Sequence, residues 1–183
     1  MDRFTPLTEA TMTPRQREVA EAIAAGARGG VKGPYNAWLN APEVAARMEQ
    51  VGRTIRWGTS FPPRLSELAI IVTAARWRAK YEWFAHAALA AEGGLRPEII
   101  EAIRLRRRPE GMAEDEAAVH DFARALVDEG DVPDAVFDRC KALFGQRGCA
   151  ELLAACGFYV AVGFTLNVAR VPLPEGVPDP FPA

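Results

Sequence analysis

Apolar residues recur at helical spacing along most of the chain, and glycine or proline separates one such stretch from the next. One stripe with alternating spacings of three and four is formed by Leu65, Leu68, Val72 and Ala75. No glycine or proline interrupts this pattern before Gly93, so periodicity alone predicts one helix of nearly thirty residues. We find no alternating, strand-like run flanked by turn residues, which indicates an all-α protein.

Six further helices are predicted from periodicity and from their end signals. The first begins after a capping box with proline at the first helical position, and most of the others end at glycine. The segment between residues 31 and 40 contains Gly33-Pro34 and two aromatic residues, and is interpreted as a loop. The six predicted helices cover residues 14–25, 42–58, 97–105, 113–129, 133–145 and 146–170.

Composition and charge exclude several classes of protein. The chain has 183 residues, of which 49% are hydrophobic and 25% charged, and its net charge is −2. This is typical of a globular domain, and no basic excess indicates nucleic acid or an acidic membrane as a partner. Three cysteines without a CxxC pair favour a reducing compartment. We therefore expect a cytoplasmic protein, and we interpret the apolar run Leu152–Val168 as a buried helix rather than a membrane span.

Candidate chemistry lies in the middle of the chain, where Glu82 and His86 are four residues apart and share one helix face. Glu67 precedes Glu82 by 15 residues, about 22 Å along a straight helix. It joins the pair only if the chain folds back between Arg76 and Lys80, where the sequence has no glycine or proline. A carboxylate beside an imidazole makes a proton shuttle. An exposed pair contributing about 0.3–0.5 kcal/mol, with Glu67 in solvent, remains the alternative.

The stretch PPRLSELAIIVTAARWRAKYEWFAHAALAAEGGL resembles the carboxymuconolactone decarboxylase family, which includes the alkylhydroperoxidase D-like proteins. In thiol-bearing members, a Glu is followed after eleven residues by a CxxC pair, and the CxxC pair is followed after three residues by a His. Here Glu67 and His86 occupy the outer positions of this motif, and Ala79 and Glu82 stand in place of the two cysteines. The later segments FARALVDEGDVPDAVFDRCKALFG and LLAACGFYVAVGFTLNVARVPLPEG are also similar. The resemblance implies an N-terminal helical extension over 1–30, a family domain over 31–176 and a proline-rich tail over 177–183.

The resemblance implies a helical bundle assembled as a homotrimer or homohexamer, and a cofactor-free, metal-free lyase for a small organic acid or lactone. His86 would shuttle a proton, Glu82 would orient it, and Glu67 would act as acid or base in decarboxylation or isomerisation. Decarboxylase-type members usually carry His at the position of Ala79, so its absence leaves lactone decarboxylation itself open. Without the two thiols, disulfide-based peroxidase activity is not expected, even if a family-level label says peroxiredoxin.

Two groups of residues next to the Glu82–His86 pair are candidates for binding a substrate. The aromatic candidates are Trp83, Tyr81 and Tyr159, for which ordinary core packing is the alternative. A carboxylate substrate also needs a cation. Nearby basic residues are Arg76, Arg78 and Lys80, which are equally compatible with a solvated face or a subunit contact. A family-labelled antioxidant protein and a non-catalytic oligomeric binding protein remain the competing hypotheses.

Overall fold

The computed structural model describes residues 3–27 and 29–181, and every regular element in these ranges is a helix. The all-α prediction is therefore confirmed. The helices are α1 (Pro14–Ala25), α2 (Tyr35–Trp38), α3 (Pro42–Trp57), α4 (Pro63–Arg76), α5 (Lys80–Glu92), α6 (Pro97–Arg104), α7 (Glu114–Glu129) and α8 (Asp134–Ala169).

Helix α4 lies at the centre of the bundle and packs against α5, α7 and α8. Its sequence explains this position, because it is apolar on nearly all sides and ten of its fourteen residues are buried. The main core surrounds it with side chains such as Leu68, Ile99, Phe122 and Leu152. The proline-rich tail also reaches this core, since the Phe181 ring packs edge-on against Trp83.

The prediction of one helix across residues 63–93 is wrong, because the chain breaks after Arg76. Arg78 adopts a left-handed conformation with φ of 48°, and α5 begins two residues later. Tertiary contacts hold this break: the Asn167 side-chain amide donates to the Trp77 carbonyl at 2.8 Å, and Ala79 is fully buried. Gly163 on α8 makes room for the turn, since a Cβ there would lie 3.2 Å from that of Ala79.

Helix α8 contains the two helices predicted for residues 133–145 and 146–170, which join at a kink. Gly145 has φ of 67° and ψ of −178°, a conformation that is essentially restricted to glycine. Within the described ranges, α8 is the helix whose length and composition would suffice to cross a membrane. Half of its most apolar 18-residue window is buried inside the protein, as expected for the core helix of a bundle.

The N-terminal segments form a smaller cluster of side chains against α3. Thr13 and Gln16 cap α1 reciprocally, as the capping-box signal predicts. The loop expected over residues 31–40 instead contains α2, whose Tyr35 is buried and packs edge-on against Trp38. The Trp38 indole donates to the Thr165 hydroxyl at 2.9 Å, which ties this segment to α8.

Candidate active site

The break between α4 and α5 brings three titratable side chains together. The two helices run antiparallel, so Glu67 in the second turn of α4 faces His86 in the middle of α5. The Nδ1 atom of His86 lies 2.5 Å from Glu67 Oε2, and its Nε2 atom lies 2.8 Å from Glu82 Oε1. One imidazole ring therefore joins two carboxylates, one at each nitrogen.

All three side chains of this Glu67–His86–Glu82 relay are buried, with residue exposures of 5–8%. The alternative of an exposed pair with a solvated Glu67 is thus wrong. Burial by itself lowers the pKa of His86, but the charge of Glu82 and hydrogen bonds to both carboxylates outweigh it. Together they raise the pKa to about 9, so the imidazole is protonated at neutral pH.

A cavity of about 210 Å³ opens beside the relay, and we refer to it as the first cavity. His86 and Glu82 line it together with aromatic side chains from α2, α5 and α8. The Tyr159 ring stacks edge-on against the His86 ring, with centroids 5.1 Å apart. The lining residues are Lys32, Gly33, Pro34, Tyr35, Arg56, Tyr81, Glu82, Ala85, His86, Phe158, Tyr159 and Val162.

The turn at Gly33 closes one side of the first cavity. Its φ of 59° is in the left-handed region, and a Cβ at this position would lie 3.6 Å from the Tyr81 ring. A side chain here would combine backbone strain with contact against the cavity wall. This segment covers the cavity of its own chain, which the sequence pattern did not indicate.

The structure separates the predicted binding residues into two groups. Tyr81 and Tyr159 line the first cavity, and their contact with a substrate stays a prediction. Trp83 points the other way, into the main core against Phe181, and does not line the first cavity. Helical geometry explains the difference, because residue 83 lies about 100° around α5 from Glu82.

Glu67 lies outside the first cavity and lines a second cavity of about 490 Å³ instead. This second cavity lies under the end of α3 and the start of α4, and Arg56 lines both cavities. The lining residues are Arg56, Trp57, Thr59, Phe61, Pro63, Ser66, Glu67, Leu89, Glu92 and Gly93. The two carboxylates of the relay thus face different spaces.

The three predicted cations are engaged elsewhere and do not line the first cavity. Arg76 is paired with Asp128 at 2.8 Å. Arg78 donates to the Phe181 carbonyl, and Lys80 is paired with Asp179. The contacts of Arg78 and Lys80 join the α4–α5 break to the tail, whereas the Arg76 pair joins the end of α4 to α7.

Two other cations, Arg56 and Lys32, line the first cavity, and sequence reasoning missed both. Arg56 is half-buried, with its guanidinium 4.9 Å from the centre of the Trp57 ring. No carboxylate among the described residues forms an ion pair with it, so its charge is available to a ligand. Its position in the last turn of α3 carried no periodic or motif signal that pointed to the site.

The remaining histidine and the cysteines are buried away from the first cavity. His120 bonds to Asp121 at 2.9 Å, and burial lowers its pKa. Burial raises the pKa of Cys156 to about 11 and that of Cys140 to about 12, which disfavours the reactive thiolate. In residues 3–27 and 29–181, no group of three or more His, Cys, Asp or Glu side chains is placed to hold a metal ion.

The described residues form an all-α protein in which a buried Glu–His–Glu relay lies beside a small cavity. The model of the carboxymuconolactone decarboxylase family matches residues 42–124. The match runs from the start of α3 into α7 and includes all three relay residues, so the resemblance to this family is confirmed over this part of the chain. No curated protein gave a significant match to the chain.

Proposed function

We propose that the protein is a carboxymuconolactone decarboxylase-like enzyme that carries out acid/base chemistry on a small organic acid or lactone. The observation that carries the proposal is the first cavity, which places His86 and Glu82 beside a space of about 210 Å³ walled by aromatic rings and two cations. A cavity of this size accommodates a compact molecule of roughly ten to fifteen heavy atoms. Decarboxylation or isomerisation through an enolate suits such a site.

The charge state of the relay assigns its acid and its base. Because His86 has a raised pKa of about 9, it carries a proton at neutral pH and serves as the acid that supplies a proton to the enolate carbon. Glu82 lines the same cavity and serves as the carboxylate that takes a proton from a carbon acid. Glu67, which faces the second cavity, holds His86 through Nδ1. The resemblance suggested that Glu82 orients His86 and that Glu67 acts as acid or base. We propose the reverse assignment, in which Glu67 orients His86 and Glu82 acts as the base.

Arg56 and Lys32 favour an anionic substrate. The relay contains two carboxyl groups and one imidazole, so a carboxylate substrate beside it needs cations to offset repulsion between like charges. Arg56 lies on the wall shared with the second cavity and can form a bidentate pair with a carboxylate. These cations would bind the carboxylate that stays on the product, or hold the one that leaves as carbon dioxide.

Two competing functions are disfavoured by specific residues. A disulfide-based peroxidase needs two thiols at the positions of Ala79 and Glu82, and neither side chain can react with peroxide or form a disulfide. A binding protein whose pocket is filled by its own side chains does not agree with the open first cavity. Subunit number, including the trimer and hexamer expected from the resemblance, and cytoplasmic location remain proposals.

A panel of small lactone carboxylates and unsaturated dicarboxylic acids tests the function. We expect the wild-type protein to release carbon dioxide from, or isomerise, at least one compound, and His86→Gln to abolish that turnover. The matched control is His120→Gln, which changes the other buried histidine and should retain turnover. Equal turnover by wild type and His86→Gln would reject the assignment, and circular dichroism with gel filtration would check that both variants fold and assemble normally.

Arg56→Gln tests the anion-binding step separately. Loss of a charge-assisted hydrogen bond costs about 1.5–3 kcal/mol, so KM should rise roughly 10- to 100-fold. Because Arg56 forms no hydrogen bond with His86 or Glu82, kcat should change less. A KM that is unchanged in Arg56→Gln would assign substrate binding to other groups.

A further inference from the structure

The C-terminal tail holds the first turn of α5 from outside the bundle. The Phe181 ring packs edge-on against Trp83, with ring centroids 5.3 Å apart, and both side chains are buried. The Asp179 carboxylate pairs with Lys80, and the Arg78 guanidinium donates to the Phe181 carbonyl. Backbone and side chains of the tail therefore both contact the stretch from residue 78 to residue 83.

The sequence of this turn supplies little local restraint of its own. Ala79 occupies the N-cap position and has no side-chain oxygen that could accept from the first backbone N–H groups of α5. Arg78, just before it, has a positive φ of 48°, a conformation that a residue with a Cβ rarely adopts. Contacts from the tail and from Asn167 must therefore fix where α5 begins.

The same turn carries Glu82, and the position of this turn decides whether the relay is complete. Trp83 points into the core against the tail, whereas Glu82, about 100° around the helix, bonds to Nε2 of His86 at 2.8 Å. A displacement of the turn by about 1 Å would lengthen this bond beyond the range of a normal hydrogen bond. Contacts on the Trp83 side of the turn thus limit movement on its Glu82 side.

We propose that Phe181 is a positioning residue of the active site, which acts through Trp83 to hold the Glu82 carboxylate against His86. The inference rests on the proposed function for its effect on turnover, whereas the contact itself exists without a substrate. Phe181 lies outside residues 42–124, which match the family model, so the active site of this chain depends on a segment that the match does not include. The role is geometric, and no group or proton passes through Phe181.

The imidazole of His86 would record the loss of this restraint. Glu67 on α4 and Glu82 on α5 bond to its two ring nitrogens. Burial lowers the pKa of His86, and the charge of Glu82 is the strongest of the effects that raise it. A Glu82 that moves away therefore lowers the pKa of His86, with or without a substrate. The other titratable or charged side chains that line the cavity beside the ring are Lys32, Tyr35, Arg56, Tyr81 and Tyr159.

A titration of histidine labelled with ¹⁵N in the ring tests the proposal without a substrate. The chain has two histidines, and His120→Gln assigns their signals. In Phe181→Ala, we expect the titration midpoint of His86 to fall by at least about one pH unit, because Glu82 is no longer held at Nε2. Phe181→Leu keeps an apolar side chain against Trp83 and should retain most of the wild-type value.

The matched control is Phe137→Ala, which removes a ring that packs against Phe122 between α7 and α8. It should leave the midpoint of His86 unchanged, and the His120 signal checks that each variant folds as the wild type does. An equal fall in both alanine variants, or no fall in Phe181→Ala, would overturn the proposal.

Asp179→Asn decides the question if Phe181→Ala does not fold. It removes the exposed ion pair with Lys80, so the midpoint of His86 should fall in the same direction by a smaller amount. An unchanged midpoint in this variant would then overturn the proposal.

Turnover separates this role from the proposed function. On any compound that the wild type converts, Phe181→Ala should lower kcat roughly tenfold or more with a small change in KM. Absence of turnover across the whole panel would reject the proposed function, while the titration would still decide the positioning role. A lower kcat together with an unchanged midpoint of His86 would overturn the proposal, because Phe181 would then act without moving Glu82.

Discussion

The raised pKa of His86 has a consequence for stability that can be measured directly. The ordinary pKa of histidine is 6.5, and the folded protein holds that of His86 at about 9. Since one pH unit corresponds to about 1.4 kcal/mol, protonation of His86 stabilises the folded state by about 3 kcal/mol. A folded-state pKa above the unfolded one means that this contribution is complete below pH 6.5 and is lost as pH rises from 6.5 through 9.

Two assays check this prediction. A titration of the ¹⁵N-labelled histidines between pH 5 and 10 should show one imidazole ionising near pH 9 and the other below 6.5, because burial lowers the pKa of His120. Urea denaturation at several pH values gives the second measurement. At each pH, the free energy of unfolding of His86→Gln is subtracted from that of the wild type. The subtraction removes the contribution of the buried cysteines, which both proteins share and whose thiols ionise above about pH 8.5 in the unfolded chain.

The difference between the two unfolding profiles should fall by about 3 kcal/mol across this pH window. A His86 that titrates at or below pH 6.5, or a difference profile that does not change with pH, would contradict the raised pKa of His86. In that case the two carboxylates would not hold a charged imidazole, and a neutral histidine would have to replace the proposed acid.

Three further predictions concern the fold around the site. Gly145→Ala should destabilise the protein by about 1–3 kcal/mol, because the positive φ of residue 145 at the kink strains any residue with a Cβ. Gly157→Ala, in a regular part of the same helix, should be neutral or slightly stabilising, and thermal melting compares the two variants. Phe181→Ala should lower the free energy of unfolding in urea by about 3 kcal/mol, since it removes a buried ring. A thiol reagent at pH 8 should label Cys140 and Cys156 only after unfolding, because burial raises the pKa of both.

Most of the fold followed from local signals in the sequence. Proline at the start of α1, α3 and α6, and glycine after the end of α1, α3 and α7, indicated the bounds of these helices to within a residue or two. The kink in α8 was also visible, because Gly145 lies between two helical patterns. These features depend on neighbouring residues, and local reasoning captures them.

The break between α4 and α5 is different, because it depends on contacts that are distant in sequence. Asn167 bonds to the Trp77 carbonyl across 90 residues, and Gly163 leaves space for Ala79. No local signal marks this turn, so periodicity predicted a continuous helix. The resemblance pointed to Glu67, Glu82 and His86 as a set, and the structure places them in one hydrogen-bonded relay.

The cavity walls were predicted less well than the relay. Tyr81 and Tyr159 line the first cavity, but Trp83 faces the core, and the three expected cations hold the chain together elsewhere. Arg56 and Lys32 reach the cavity from segments that the chain path brings together only in the folded state. Residue type and spacing identified the chemistry, whereas the binding residues depend on packing.

Hydrogen–deuterium exchange at carbon tests directly whether the buried His86 takes part in acid/base chemistry. Small lactone carboxylates are incubated in D₂O with wild-type protein or with His86→Gln, and loss of the proton signal next to the carbonyl is followed by NMR. We expect exchange or product formation with the wild type for at least one compound, and none above background with His86→Gln. Equal signals with both proteins across the whole panel would contradict an acid/base role for the buried histidine.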